Sequence, residues 1–214
     1  HAKAPLSEQT KADYDKLPDF ETAVLFLRTR RSVRVYKSDP VSQEKLFRLL
    51  DIARFAPSGT NTQGLSYLVV SDKKILEKVA KSTVEWLEQE LNKPDSKLPE
   101  GYRKSVEDYR DGKDTILRNA PHLILALTPR EILPVSTDSA KFALEYVELL
   151  APTIGIGTCW LGLVQLCARA EYPPLWEVLR IPENTLVVGA ISIGYPEYRF
   201  HRLVDRDPLK VYWL

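Results

Sequence analysis

Three arginines and one serine fall within five positions near the start of the 214-residue chain. They are Arg30, Arg31, Ser32 and Arg34. Guanidinium groups present planar sets of N–H donors that match phosphate oxygens, and they keep their charge at any working pH. The cluster therefore predicts a phosphate site for a nucleotide or a flavin. The residues alone leave another interpretation open, a solvent-exposed helix end whose cations oppose the helix dipole.

A second cluster, with the sequence APSGTNTQG at residues 56–64, lies between a predicted helix and a predicted strand. Asn61 and Gln63 each offer both a donor and an acceptor. That combination suits the edge of a ring with alternating carbonyl and N–H groups, as in a flavin. Glycine at position 59 allows a ligand to approach the backbone closely. An ordinary turn between helix and strand is the alternative.

The third cluster, IGIGTCWLG at residues 154–162, has two glycines one residue apart. A dinucleotide-binding loop of this kind follows a strand and opens a helix. This one is predicted to follow a helix and open a strand, so we reject that interpretation. Cys159 and Cys167 are predicted to be small buried residues, because no histidine and acid stand near them in sequence.

The C-terminal cluster begins with a Gly-Tyr-Pro turn at residues 194–196. Four cationic or titratable residues follow, which are Arg199, His201, Arg202 and Arg206. They offer a second set of groups for an anion site. The chain's three histidines are scattered and give no metal-ligand spacing. Nucleophile elbow, P-loop and paired-carboxylate motifs are absent from the sequence.

Composition restricts the possible partners. The 30 Lys and Arg against 29 Asp and Glu give a net charge of +1, so we expect neither a nucleic acid nor a membrane partner. No apolar run reaches the ~20 residues that span a bilayer. Two cysteines cannot build a disulfide framework or a four-thiolate metal site. Few cysteines and the lack of an export signal predict a cytoplasmic protein.

These clusters need elements to position them. Residues 1–18 are predicted to be a linker or lead-in, and residues 19–214 one domain. Helices are predicted from Asp19, from Ser42, from Asp72, from Asp138 to about Ala151 and from Pro174 to Leu179. Buried strands are predicted at 65–70, 122–127, 158–161 and 186–193. Strands and helices do not alternate strictly, which favours an α+β sheet with helices on both faces.

For three segments, the sequence predicts a role or a packing environment as well as a secondary structure. The helix from Asp138 is apolar around most of its circumference, so it needs cover on more than one side, either at the centre of the domain or at a subunit interface. The charged stretch 92–119 is predicted to be a surface excursion, partly helical near Tyr102–Tyr109, and a substrate lid. The apolar end 211–214 is predicted to dock, for example as a strand on its own sheet or a partner's.

Taken together, these clusters resemble the nitroreductase family of FMN-dependent oxidoreductases, in order and over nearly the whole chain. The matching pieces are RRSVR at 30–34, APSGTNTQ at 56–63, GIGTCWLG at 155–162, LRIPENTLVVGAISIGYP at 179–196 and RDPL at 206–209. The C-terminal segment looks closest to the branch that carries an N-terminal ferredoxin module. The resemblance implies a nitroreductase-like α+β fold, with a central, mostly antiparallel sheet flanked by helices, in an intertwined homodimer.

The resemblance also assigns roles to particular residues. It implies that the FMN phosphate and ribityl chain are held by Arg30, Arg31, Ser32, Arg34 and Arg206, with Arg202 as a competitor for the last role. The isoalloxazine ring would be lined, from the partner subunit, by Pro57, Ser58, Gly59, Asn61 and Gln63. The backbone of three further residues would lie alongside the ring and place one N–H near flavin N5. These residues are Trp160, Leu161 and Gly162. The helix from Asp138 would form the dimer core.

The chain departs from the family after Gln63. Members commonly have proline and an aromatic residue where this sequence has Gly64 and Leu65. The departure predicts a looser loop and weaker contacts at the edge of the ring.

The implied function is transfer of electrons from NAD(P)H or a reduced ferredoxin, through FMN, to an electron-poor acceptor such as a nitroaromatic or a quinone. Because the cofactor carries the chemistry, no general acid or base is assigned. One alternative is reductive dehalogenation, for which Glu85, Tyr102 and Lys104 would grip a zwitterionic substrate. Others are a non-catalytic FMN-binding electron-transfer module, and a dimeric α+β domain whose basic clusters are only solvated surface.

Overall fold

The computed structural model describes residues 10–214, without the side chains of residues 134 and 135. The chain divides into two compact units. The larger comprises residues 30–202, and the described part of the smaller comprises residues 10–29 with 203–214. The boundary predicted between residues 18 and 19 stays a prediction, and half of the predicted lead-in lies outside the described residues.

The larger unit is built on a four-stranded sheet. Its strands are β1 (Ser66–Val70), β2 (His122–Pro129), β3 (Gly157–Trp160) and β4 (Thr185–Gly194). Their order is β1–β2–β4–β3, and every neighbouring pair is antiparallel. The predicted antiparallel sheet is confirmed, and so is the interior position of β4. β3 is a short edge strand, which leaves one of its sides open to further pairing.

The described residues form seven α-helices. They are α1 (Phe20–Thr29), α2 (Gln43–Ala53), α3 (Lys73–Leu91), α4 (Arg103–Arg110), α5 (Leu133–Leu150), α6 (Gly162–Arg169) and α7 (Pro173–Leu179). Of these, α1 lies in the smaller unit and the other six lie in the larger unit with the sheet. Two predicted helix starts are confirmed by their caps. The Ser42 hydroxyl accepts from the Lys45 N–H, and the Asp72 carboxylate accepts from the Ile75 N–H.

Two hydrophobic cores lie on opposite faces of the sheet. Along β2, Leu123, Leu125 and Leu127 join the core formed with α3, α6 and α7. Ile124 and Ala126 point the other way, into the core formed with α2 and α5. This alternation follows from the two-residue period of a strand. Helices therefore cover both faces, as the sequence predicted.

Two helices differ from their predicted extents. α5 begins at Leu133, five residues before the predicted start, with proline in its first turn. Proline suits this position because the N–H that it lacks would have no partner there. The sequence analysis missed α6 altogether, since eight residues with few polar positions show little helical periodicity.

The stretch 92–119 is more firmly packed than predicted. Val106, Ile116 and Leu117 are buried in the core on the α3 side. The Asp114 carboxylate accepts from three backbone N–H groups that follow it, at N···O distances of 2.8 to 3.0 Å. The surface-excursion interpretation is wrong for these residues, although the predicted helix near Tyr102–Tyr109 is confirmed as α4. A lid role for the stretch stays a prediction.

The smaller unit exposes apolar side chains. No residue of α1 is buried, and Phe20 is 77% exposed. Residues 211–214 form no strand, and Trp213 is 90% exposed. The predicted docking of this end stays a prediction.

Candidate active site

The arginine-bearing stretch 30–34 lies along the open edge of β3. Ser32 pairs with Thr158 in a parallel bridge, and the Val33 N–H donates to the Thr158 carbonyl at 2.8 Å. An edge strand presents unpaired backbone groups, which explains why this short segment settles there. The pairing brings the first sequence cluster directly against the third.

The chain after β4 lies on the other side of the same stretch. Tyr36 forms an antiparallel bridge with Pro196, and the Glu197 N–H donates to the Val35 carbonyl at 3.1 Å. The Arg31 guanidinium lies 4.1 Å from the centre of the Phe200 ring and donates to the Arg202 carbonyl at 3.4 Å. Three of the four sequence clusters therefore meet in one place.

The cations of the stretch are not equivalent. Arg30 approaches two carboxylates of α5, with Nε 3.7 Å from Glu145 Oε1 and Nη1 4.0 Å from Glu148 Oε1. Within residues 10–214, Arg31 and Arg34 form no ion pair. The charges of Arg31 and Arg34 are thus unopposed by a carboxylate and could pair with a phosphate, whereas the charge of Arg30 is already opposed. The Ser32 hydroxyl lies within hydrogen-bond reach of the Cys159 thiol.

Arg206 belongs to the smaller unit. Its backbone N–H donates to the Asp205 carboxylate at 2.9 Å, and its side chain is exposed. Its contribution to a phosphate site stays a prediction. Arg202, the competitor for that role, lies in the larger unit and supplies its carbonyl oxygen to Arg31.

The loop that follows α2 is held in an unusual backbone conformation. The Ser58 hydroxyl accepts from the Gln63 N–H at 3.1 Å, and the Gln63 amide donates to the Asn61 side-chain oxygen at 3.0 Å. Thr60, Asn61 and Gln63 all have positive φ, at 50°, 56° and 49°. Such conformations are costly outside glycine and cluster at ligand sites. This conformation favours a ligand-binding loop over an ordinary turn.

The looseness predicted at Gly64 stays a prediction. A Cβ atom at this position would meet the terminal methyl group of the Ile132 side chain, which is free to rotate away. Pro57 precedes this loop and is exposed.

The loop and the arginine stretch contact different sides of α5. The Gly59 N–H donates to the Ser139 hydroxyl at 3.2 Å, while Arg30 approaches Glu148. At 3.6 residues per turn, positions 139 and 148 point about 180° apart around the helix. A helix with its side chains is about 10–12 Å wide. Within one chain, the two predicted halves of the site are therefore separated by α5.

The backbone at Trp160–Gly162 is only partly free. The Leu161 N–H donates to the Ala190 carbonyl at 2.8 Å, so it is not available to a flavin ring. Gly162 opens α6, where first-turn N–H groups have no partner within the helix. Among the three predicted residues, Gly162 is therefore the one suited to donate.

The Trp160 side chain is fixed in orientation. Its indole N–H donates to Gln165 Oε1 at 3.0 Å, and the Gln165 amide donates to the Val188 carbonyl at 2.9 Å. These two hydrogen bonds connect the indole ring to β4 and fix its orientation beside the N-terminus of α6.

Both cysteines are buried, as predicted. Burial raises the pKa of the Cys159 thiol and raises that of Cys167 to about 12. Thiols in this state are protonated at neutral pH and are not nucleophiles. Across residues 10–214, we find no cluster of side chains that could hold a metal ion, and no helix long and apolar enough to cross a bilayer.

Glu148 is a further residue of this site that was not predicted from the sequence. Its side chain is 5% exposed and accepts from the Thr158 hydroxyl at 3.0 Å. Burial, with Glu145 nearby, raises its pKa, although Thr158 and Arg30 oppose the shift. A signal was present, because Glu148 shares a helical stripe with the buried residues Leu144 and Ala151.

Comparison with known proteins agrees with this geometry. The model of the nitroreductase family matches residues 27–195, which include three of the four clusters and the first two residues of the fourth. The chain belongs to the nitroreductase family. Assignment to the branch with a ferredoxin module stays a prediction.

Two sequence relatives of this nitroreductase-family chain illustrate its range. One, from Archaeoglobus fulgidus, is provisionally named an NADH dehydrogenase/NAD(P)H nitroreductase and is 29% identical over 192 residues, covering 87% of this chain and 93% of its own length. The other, from Thermotoga neapolitana, is named an iodotyrosine deiodinase and is 22% identical over 175 residues, covering 79% and 86%.

A solved structure confirms the predicted fold. The nitroreductase with bound FMN from Desulfitobacterium hafniense DCB-2 superposes with a TM-score of 0.70 at 18% identity, covering 89% of this chain and 97% of that one. The family fold, with its antiparallel sheet between helices, is thus the fold of this chain.

Proposed function

We propose that this nitroreductase-family protein binds FMN and passes electrons from NAD(P)H or a reduced ferredoxin to an electron-poor acceptor, such as a nitroaromatic or a quinone. The observation that carries the proposal is that the stretch with Arg31, Ser32 and Arg34 pairs through its backbone with the edge of β3, the strand that leads to Gly162. Relatives whose names or structures include FMN support the choice of cofactor.

The residues present fit such a cofactor. Two guanidinium groups and a hydroxyl suit a dianionic phosphate, and their charge-assisted hydrogen bonds are the strong ones. The amides of Asn61 and Gln63 suit a ring edge with both donors and acceptors. The positive φ values of their loop give these amides a preset direction.

FMN, when bound, supplies the electron transfer, and the protein supplies binding and electrostatics. Arg31 and Arg34 would neutralise the phosphate, and the Gly162 N–H at the start of α6 would favour negative charge on the reduced ring. Trp160, fixed through Gln165, would exclude water from one side of the site. No protein side chain needs to act as a general acid or base.

We also propose a homodimer in which the arginine stretch of one protomer and the 58–63 loop of its partner enclose each FMN. Two observations support it. The stretch and the loop contact opposite sides of α5 in one chain. On α5, Phe142 and Tyr146 are 50% and 37% exposed, which leaves an apolar face that a second copy would cover. We place the protein in the cytoplasm.

The proposal is tested on the purified protein. We expect a yellow protein whose released chromophore has the mass of FMN, and whose absorbance bleaches when NADH, NADPH or a reduced ferredoxin is added without oxygen. Adding a nitroaromatic or a quinone should restore the colour. A colourless protein that takes up no FMN would overturn the proposal. Bound FMN that no donor reduces would instead indicate the non-catalytic module.

Reductive dehalogenation is the second candidate, and the relative named iodotyrosine deiodinase favours it. The structure makes its predicted residues less suitable. Lys104 pairs with Asp108 at 2.8 Å, and Glu85 lies 3.7 Å from Lys81. Tyr102 packs against the core. Tight binding of 3-iodotyrosine to the oxidised protein would favour this candidate over the first.

A further inference from the structure

A carboxylate is buried directly behind the arginine stretch. The Glu148 side chain is 5% exposed, yet it lies within 4.0 Å of one guanidinium and accepts one hydroxyl hydrogen bond. Carboxylates are almost never buried to this extent without a specific partner. Its partners therefore indicate what it does.

One partner, Thr158, connects Glu148 to the middle of the stretch. The Thr158 hydroxyl donates to Glu148 Oε1 at 3.0 Å, and the Thr158 carbonyl accepts from the Val33 N–H at 2.8 Å. The same residue forms the backbone bridge with Ser32. A single residue of β3 thus joins the carboxylate to the two residues that separate Arg31 from Arg34.

The other partner, Arg30, connects Glu148 to the beginning of the stretch. The Arg30 side chain lies between Glu148, at 4.0 Å, and the half-exposed Glu145, at 3.7 Å. Its guanidinium is therefore directed toward α5. Glu148 holds the stretch at two points, on either side of Arg31.

We propose that Glu148 is a positioning residue for the phosphate of the bound flavin nucleotide, and that Arg30 belongs to this support rather than to the phosphate ligands. The inference rests on the proposed function. The Glu148–Arg30 and Glu148–Thr158 contacts preset the backbone from which Arg31, Ser32 and Arg34 reach the phosphate. Binding groups held in advance lose less entropy when the ligand arrives. Glu148 thereby favours FMN over riboflavin, which lacks the phosphate.

The test compares FMN and riboflavin binding to flavin-free wild type and to Glu148→Gln. Glutamine keeps the size and an acceptor for Thr158 but removes the charge that holds Arg30. We expect the FMN dissociation constant to rise about ten-fold, the scale of one charge-assisted contact, while that of riboflavin stays unchanged. Glu148→Asp, which keeps the charge, should recover part of the loss.

One variant tests the support without changing Glu148. Thr158→Val removes only the hydroxyl and should also weaken FMN binding selectively, even if Glu148→Gln does not fold. A double variant tests the Arg30 contact: Arg30→Gln should weaken FMN no further when it is combined with Glu148→Gln, because both act through the same contact. Glu145→Gln is the matched control, and it should have a smaller effect because the half-exposed Glu145 carboxylate is screened by water, whereas Glu148 is buried.

The possible outcomes distinguish a failure of the positioning role of Glu148 from a failure of the proposed FMN-binding function. Wild type that does not prefer FMN to riboflavin would contradict the phosphate site itself. Wild type that prefers FMN, with Glu148→Gln and Thr158→Val unchanged, would overturn the positioning role alone. Equal weakening of FMN and riboflavin would also overturn it, because it would indicate a general effect on the core.

Discussion

At the scale of single residues, the arginine stretch shows how tertiary contacts divide similar side chains between roles. The sequence predicts a phosphate site from residue types alone and treats Arg30, Arg31 and Arg34 alike. The structure directs Arg30 toward α5, and it places Arg31 against Phe200. No pattern in the sequence distinguishes them, because the difference depends on carboxylates more than a hundred positions away.

Replacing Arg31 with alanine should weaken FMN binding. One charge-assisted contact worth roughly 1.5–3 kcal/mol corresponds to a loss of about ten- to a hundred-fold in affinity. Titration of the flavin-free protein with FMN, followed by flavin fluorescence, measures it. Arg169→Ala, which removes an exposed cation from the last turn of α6, should leave the affinity unchanged. Equal affinity in Arg31→Ala and wild type would remove Arg31 from the site.

His122 predicts a pH dependence of stability. Its Nε2 accepts from the Val41 N–H at 2.8 Å, and burial lowers its pKa below the ordinary 6.5. Below that pH the unfolded chain binds a proton that the folded chain does not, so stability falls as the pH falls. Urea denaturation should therefore show a lower free energy of unfolding at about pH 5.5 than at about pH 7.5.

The variant His122→Phe isolates this effect. At neutral pH it should lose about 1–3 kcal/mol, because the buried Val41 N–H loses its acceptor. The difference in free energy of unfolding between wild type and this variant should then become smaller as the pH falls, because phenylalanine does not titrate. A difference in free energy of unfolding that stays constant with pH would show that His122 is not the titrating group.

At the scale of elements, helices with strong local sequence signals were predicted well, whereas pairings between distant segments were not. Caps at Ser42 and Asp72 located α2 and α3 from sequence alone. The pairing of residues 32–33 with β3 was not predicted, because it consists of backbone hydrogen bonds that leave no side-chain pattern. The short α6 was missed because eight residues give too little periodicity.

The loop after α2 is the element whose conformation is most unusual. Its amides and hydroxyls could be read from sequence, but three positive φ values could not, since none of these positions is glycine. The hydrogen bond from the Gly59 N–H to Ser139 and the hydrogen bonds within the loop help to maintain them. This cost is consistent with a loop shaped for a ligand.

Glycine at one of these positions of positive φ should stabilise the protein. Thr60 has φ of 50°, which costs a β-branched residue about 1–2 kcal/mol. Thr60→Gly should therefore raise the free energy of unfolding by up to about 1 kcal/mol, after the entropic cost of glycine, and Tm by about 2–4 °C. Thr62→Gly is the control and should destabilise, because Thr62 has φ of −63°. A lower Tm for Thr60→Gly would contradict the assigned conformation.

At the scale of the whole molecule, the family resemblance predicted the fold, while the site that we propose requires a second copy of the chain. The sheet order and the two cores confirm the α+β architecture. The family resemblance implied a dimer with α5 in its core, whereas the apolar circumference of this helix alone also allowed a place at the centre of the domain. In the single chain that helix is covered by the sheet and by α2, and it still exposes Phe142 and Tyr146. This is the physical basis for expecting a second copy.

Charging that face should separate the protomers. Phe142→Lys places an ammonium group where the proposed interface excludes water, so sedimentation analysis should show monomers that have lost FMN. Glu177→Lys, on α7 at the opposite face of the sheet, should remain dimeric and yellow. A Phe142→Lys protein that stays dimeric with full flavin content would place the interface elsewhere.

The central claim is that each flavin lies between the arginine stretch of one chain and the loop of the other, and mixed dimers test it most directly. Arg31→Ala and Asn61→Ala chains, carrying different affinity tags, are co-expressed and the mixed dimer is isolated. Each parent homodimer should bind FMN weakly. In the mixed dimer one site combines both defects and the other has none, so we predict half of the wild-type FMN content. A mixed dimer that binds FMN as weakly as both parents would show that each site is built within one chain.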